Sequence, residues 1–225
     1  MQNSSNDSSG LVVSYLTLRK AIGLLGTLLP LVLLVGGLVL FRTGIQSSLS
    51  AYYHTGMGDV FVGTLCAIGV FLWAYKGYTD GAHNDARVSN FAGLFAIGVA
   101  LFPTDPSGDP GVPRTLAGIT HVVFAAAFFL TLAYFVLVLF RKSHSGRSRT
   151  AIKKTRDRVY RVTGYAILGS IALIGILGGI GALGLVPREV VQAWHPNFWL
   201  ESIAVIAFGI AWAVKGQALL ADPAE

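Results

Sequence analysis

The sequence predicts an all-α membrane protein, a polytopic bundle of six transmembrane helices with both termini in the cytoplasm. Three observations carry this expectation. Six apolar segments divide the chain, at Ala21–Phe41, Val60–Tyr75, Val88–Phe102, Ile119–Phe140, Val162–Val186 and Phe198–Val214. Hydrophobic residues make up 53% of the 225 residues and charged residues only 12%, about half the charge of a soluble domain. Lys and Arg outside the spans are unevenly placed. Arg19, Lys20, Lys76, Arg87, the nine in segment 141–161 and Lys215 fall on one side; Arg42, Arg114 and Arg188 fall on the other. Basic residues stay cytoplasmic during insertion, so fourteen of the seventeen mark the inner side. The segments SAYYHT, FPTD and WHPNFW then face outward. Reporter fusions at Gly108 and Arg149 should give opposite readouts, with Gly108 outside. Matching readouts would refute the six-span topology.

Taken in order, Met1–Gly10 is polar, and residues 1–18 are expected to form a disordered or interfacial tail. Residues 19–217 form the transmembrane domain and 218–225 a C-terminal tail. No small-residue cleavage site follows Arg19 and Lys20, so the first span is expected to be retained. Ala21–Phe41 is long enough for a bilayer core of ~30 Å, and Pro30 is expected to kink it. Val60–Tyr75 and Val88–Phe102 are short. They reach spanning length if Met57–Asp59 and Asp85–Arg87 lie in the helices at headgroup depth. Ile119–Phe140 is the clearest span. Val162–Val186 is rich in glycine, and Gly175 and Gly179 have the spacing that lets two backbones approach. That spacing is read as packing within the chain. The second and sixth spans close alike, on Trp73-Ala74-Tyr75-Lys76-Gly77 and Trp212-Ala213-Val214-Lys215-Gly216. A Trp at headgroup depth, a snorkelling Lys and a terminal Gly suit any helix end at an interface.

A net charge of +6 would suggest nucleic acid in a soluble protein. Here nine basic residues sit in one loop beside a membrane, so segment 141–161 is expected to meet anionic headgroups, and no nucleic acid is expected. Cys66 is the single cysteine and reads as a small packing residue. The segment Phe102–Arg114, with four prolines, reads as a rigid turn.

The candidate chemistry gathers at the outer side. His54, His121 and His195 each lie at the outer start of a helix, so their imidazoles share a depth. Asp59, Asp105 and Glu201 lie near the same level. An ionisable group within a span costs ~2.5–3.5 kcal/mol at the centre and less near the ends. Such groups should face the interior and pair. One reading is structural, a His–carboxylate network between helices. Another is chemical: His54, His121 and His195 hold zinc with an open fourth position. Asp59 would then be the base or an imidazole's partner, and Ser50 would orient water or substrate. A third is proton-coupled transport or a channel through Asp59, His121 and Glu201, though no inverted repeat accompanies it. Asn197 is a candidate cap for the sixth helix.

Two resemblances bear on these readings. Ser50-Ala51-Tyr52-Tyr53-His54 resembles the first Ser-x3-His motif of the alkaline ceramidase/adiponectin-receptor superfamily. That resemblance implies a zinc-dependent hydrolase of a lipid ester or amide. It covers Ser50 and His54 only; the family's His-x3-His pair and seventh helix are missing. SAYYHTGMGD (Ser50–Asp59), GLFAIGVALFPTD (Gly93–Asp105), His121 and Glu201 together resemble bacterial six-helix membrane proteins of the FRAG/DRAM/Sfk group. This second likeness implies the six-helix fold, a bacterial cytoplasmic membrane and a role in lipid organisation. The expected function is lipid organisation, sensing or binding. A zinc hydrolase at the outer leaflet is the alternative, and a proton-coupled transporter the second.

Overall fold

The computed structural model describes residues 3–75, 85–106, 114–142, 151–185 and 193–221. These form six helices: α1 (Asn3–Leu40), α2 (Gly58–Ala74), α3 (Asp85–Leu101), α4 (Leu116–Tyr134), α5 (Ala151–Ala182) and α6 (Pro196–Lys215). A short 3-10 helix, Ser50–His54, precedes α2. No strand occurs among the described residues. Four helical stretches are long and apolar enough to cross a membrane: Leu16–Leu40, Leu116–Leu139, Ala151–Ala182 and Pro196–Lys215. Their outward faces carry Leu31, Val39, Val123, Leu130, Leu173 and Ile203, each about half exposed or more. An apolar belt of this extent suits lipid and would aggregate in water.

The elements agree with the expected spans, with informative differences. Asp59 lies in the first turn of α2, and Asp85–Arg87 open α3, so both short spans are extended, but at 17 residues each neither is among the four stretches long and apolar enough to cross a membrane. Helix α1 already begins at Asn3, so the stretch expected to be a disordered or interfacial tail is helical. Once a span has nucleated, each further turn costs little. Pro30 sits within the continuous helix. His195 rather than Asn197 is the N-cap of α6, because Pro196 takes the first helical position, where its fixed φ fits.

The six helices close a ring in chain order around the core, each against its neighbour, and α6 closes on α1. Helix α5 stands between α4 and α6, which barely touch each other, and its first half contributes Tyr160 and Ile167 to the core. Two crossings are close enough to bring backbones together. A Cβ on Gly209 of α6 would lie 2.5 Å from the Thr27 amide of α1. A Cβ on Gly93 of α3 would lie 2.6 Å from the Gly69 carbonyl of α2. The glycines in the second half of α5 do no such work. Nothing lies within 4 Å of a Cβ built on Gly175 or Gly179, so the expected packing inside the chain is not found there. That half of α5 leaves the bundle wall.

The two matching helix ends also part company. Trp73 is 55% exposed, as expected of an interfacial residue, but Trp212 is fully buried. Its ring packs against Tyr75 and Phe140, both at 5.1 Å between centroids, and against Phe135 and Phe208. A π-helical turn, Phe135–Leu139, ends α4. Residues five apart on an α-helix point about 140° apart. The wider turn brings Phe135 and Phe140 onto one face, 5.8 Å between centroids, and both reach Trp212.

Candidate outer polar cluster

The carboxylate of Glu201, one turn into α6, reaches across the bundle to the segment after α1. Its Oε2 accepts from the backbone amides of Leu49, at 2.8 Å, and Ser50, at 3.3 Å. Those amides open the 3-10 helix and have no carbonyl partner within it, as at any helix start. An anionic acceptor there is favoured by the aligned peptide dipoles as well. Ser50 is buried, and with Glu201 it supplies the polar part of an internal cavity. The remaining wall is apolar, including Leu29, Phe61, Leu65, Phe128 and Val205. The cavity measures about 30 Å³, enough for a water and too small for a lipid substrate.

His54, His121 and Asp105 converge on a different target, the segment 102–105 that follows α3. His121 Nδ1 donates to the Phe102 carbonyl at 2.7 Å, and His54 Nε2 donates to the Thr104 carbonyl at 2.6 Å. Pro103 makes such donors necessary. It brings no N–H to the Val99 carbonyl, four residues back, and the His121 ring lies against that carbonyl too. Because a carbonyl can only accept, these contacts fix the hydrogen on Nδ1 of His121 and on Nε2 of His54.

Asp105 completes the grip. Its Oδ1 accepts from the Thr115 hydroxyl and from the Thr115 amide, at 3.2 Å. Thr115 is the N-cap of α4, and its hydroxyl oxygen accepts from the Gly118 amide at 2.9 Å. Gly118 is required by this arrangement, since a Cβ there would run into the Asp105 carboxylate.

The Thr115 hydroxyl, aided by the Thr115 amide and by the charges of Arg114 and His121, outweighs desolvation and holds the Asp105 carboxyl below its ordinary range. A lowered folded value means that the stabilisation is complete above the unfolded pKa, about 4. It is lost as pH falls through the lower folded value. Acid unfolding of the wild type should therefore steepen below about pH 4. Asp105→Asn should be less stable at neutral pH and flatter in that window, as read from thermal unfolding in detergent across pH. Parallel curves would count against this role.

Asp59 and His195 join neither group. Asp59 is exposed on the first turn of α2 and makes no hydrogen bond or ion pair with the described residues. His195 has left-handed backbone, φ 44°, and its buried Nδ1 has no partner among the described residues. The expected single unit of Asp59, His121 and Glu201 is thus two clamps, with Asp59 outside both. Among the described residues, no three His, Cys, Asp or Glu side chains are grouped as metal ligands. What the sequence missed was the partner type. The side chains meet backbone groups rather than one another, and Pro103 was the available signal.

Comparison with family models, with curated proteins and with solved structures gives no match.

Proposed function

We propose that this chain is a lipid-binding protein of a bacterial cytoplasmic membrane, termini inside, that organises or senses the lipid around it. The observation that carries the reading is a lateral groove between α3 and α4, of about 400 Å³. Val88, Phe91, Phe95, Leu130, Thr131 and Tyr134 line it. The Thr131 hydroxyl is spent on the Ala127 carbonyl of its own helix, 2.7 Å away, so the wall is apolar in effect. The groove opens on the lipid-facing belt, where Phe91 and Leu130 are both more than half exposed. An acyl chain suits such a recess. The Lys142–Asp85 ion pair, 3.3 Å, ties the start of α3 to the end of α4 at one end of the groove. Segment 141–161 would meet anionic headgroups on that side; its residues 143–150 lie outside the described residues.

The outer cluster supports the same reading by what it does. Its carboxylates and two of its imidazoles hold connecting segments in place, and the cavity beside Glu201 is water-sized. The test is native mass spectrometry from mild detergent. Filling the groove by Thr131→Phe should strip co-purifying lipid, while Leu24→Phe, on an exposed face of α1, should retain it. Equal retention overturns the reading. Elemental analysis of protein purified without chelator separates the hydrolase alternative: stoichiometric zinc that disappears in His121→Ala would favour it.

A further inference from the structure

The small cavity beside Glu201 lies between α1, α2, α3, α4 and α6, with Leu49 and Ser50 closing one side. Every lining residue except Ser50 and Glu201 is apolar. Both of these polar side chains have bonding capacity left. Glu201 Oε2 accepts from the amides of Leu49 and Ser50, while Oε1 has no hydrogen-bond partner among the described residues. An ionised carboxylate can accept about four hydrogen bonds, so two of its positions stay open. The Ser50 side chain is 9% exposed, and its hydroxyl makes no hydrogen bond to the described residues. The two groups are neighbours, since the Ser50 amide lies 3.3 Å from the carboxylate.

The lining contains no Lys, Arg or His, and Glu201 belongs to no ion pair among the described residues. A buried carboxylate without a cation is costly unless its oxygens are fully hydrogen-bonded. Phe61, Phe128 and Phe129 form part of the wall, and aromatic rings tolerate a cation beside them. Size and chemistry then define what fits. The cavity of about 30 Å³ admits a molecule the size of water and nothing with a carbon chain. The ligand must donate hydrogen bonds, because the carboxylate only accepts. The Ser50 hydroxyl both donates and accepts, so it suits a donor of either charge.

We propose that this cavity is a binding site for one water-sized hydrogen-bond donor, a water molecule or an ammonium ion, bridging Glu201 Oε1 and the Ser50 hydroxyl. The recognised chemistry is the same for both, an O–H or N–H on a single heavy atom. Ammonium adds the positive charge that the lining does not supply. The bound molecule ties α6 to the segment after α1 a second time, beside the two amides. The site is independent of the groove between α3 and α4.

Two measurements distinguish the ligands. In the first, thermal unfolding in detergent is followed while ammonium chloride replaces potassium chloride at constant ionic strength. Potassium has nearly the radius of ammonium and no hydrogen to donate, so a saturable rise in unfolding temperature reports ammonium binding rather than salt. Glu201→Gln removes the charge and should weaken that binding roughly tenfold. Ser50→Ala removes one partner and should weaken it roughly threefold, which preserves the test if Glu201→Gln does not fold. In the second, a crystal structure grown from a lipidic mesophase without ammonium is searched for a water within about 3.2 Å of both oxygens. A saturable rise that depends on these side chains identifies ammonium. Ordered density between the two oxygens without such a rise identifies water. No density there, together with an ammonium effect that is absent or unchanged by both substitutions, overturns the proposal.

Discussion

Glu201→Leu should destabilise the protein by about 2–5 kcal/mol, because two backbone amides lose their acceptor at roughly 1–3 kcal/mol each. Leu49 and Ser50, which carry those amides, are both buried, so water cannot fully replace the carboxylate. Glu201→Gln keeps one acceptor oxygen and should cost only about 1 kcal/mol, the part due to charge. Unfolding of the purified protein in detergent, followed by helical circular dichroism, measures both. Glu201→Leu no worse than Glu201→Gln would mean that the carboxylate does not hold the 3-10 helix.

An equally large loss is expected from Gly209→Val. A side chain there would press on the amide of Thr27, at 2.5 Å, and on the carbonyl of Gly23, at 2.7 Å. Both are backbone atoms, so no rotamer change relieves the clash and α1 and α6 must separate. Forced overpacking costs about 1–3 kcal/mol where side chains can adjust; with backbone on both sides it should exceed about 3 kcal/mol. Gly175→Ala supplies the contrast. Nothing lies near its Cβ, and the gain in helix propensity is up to about 1 kcal/mol. It should be neutral or stabilising in the same unfolding assay. Destabilisation by Gly175→Ala would show that this face of α5 is packed after all.

Those two glycines show how far the sequence can be read. The six helices were legible because apolar length and scarce charge state the membrane requirement directly. The inclusion of Asp59 and Asp85–Arg87 in the two short helices was anticipated, though at 17 residues each these helices still fall short of the length needed to cross ~30 Å. Facing was not legible. Gly175 and Gly179 have the spacing associated with close packing, yet they look outward, while Gly23, Gly69, Gly93 and Gly209 carry the close crossings. Trp73 and Trp212 close nearly identical pentapeptides, and only ring closure decides that one is buried.

The candidate site divided in the same way. His54, His121, Asp105 and Glu201 stood out because ionisable groups are costly near lipid. Their partners did not, since every residue carries the same amide and carbonyl and sequence does not distinguish them. Only Pro103 marked a backbone group in need, through the N–H it lacks.

The closure of α6 on α1 has a consequence in time. The chain is made from its amino end, and neighbouring helices along α1 to α4 can pair as soon as each emerges. The segment after α1 cannot be settled then, because the acceptor for Leu49 lies 152 residues downstream in α6. Until α6 arrives, one side of the assembly lacks its seam. The order of synthesis thus leaves the first connection waiting for α6, and a nascent chain stalled before residue 201 should leave that connection open to protease.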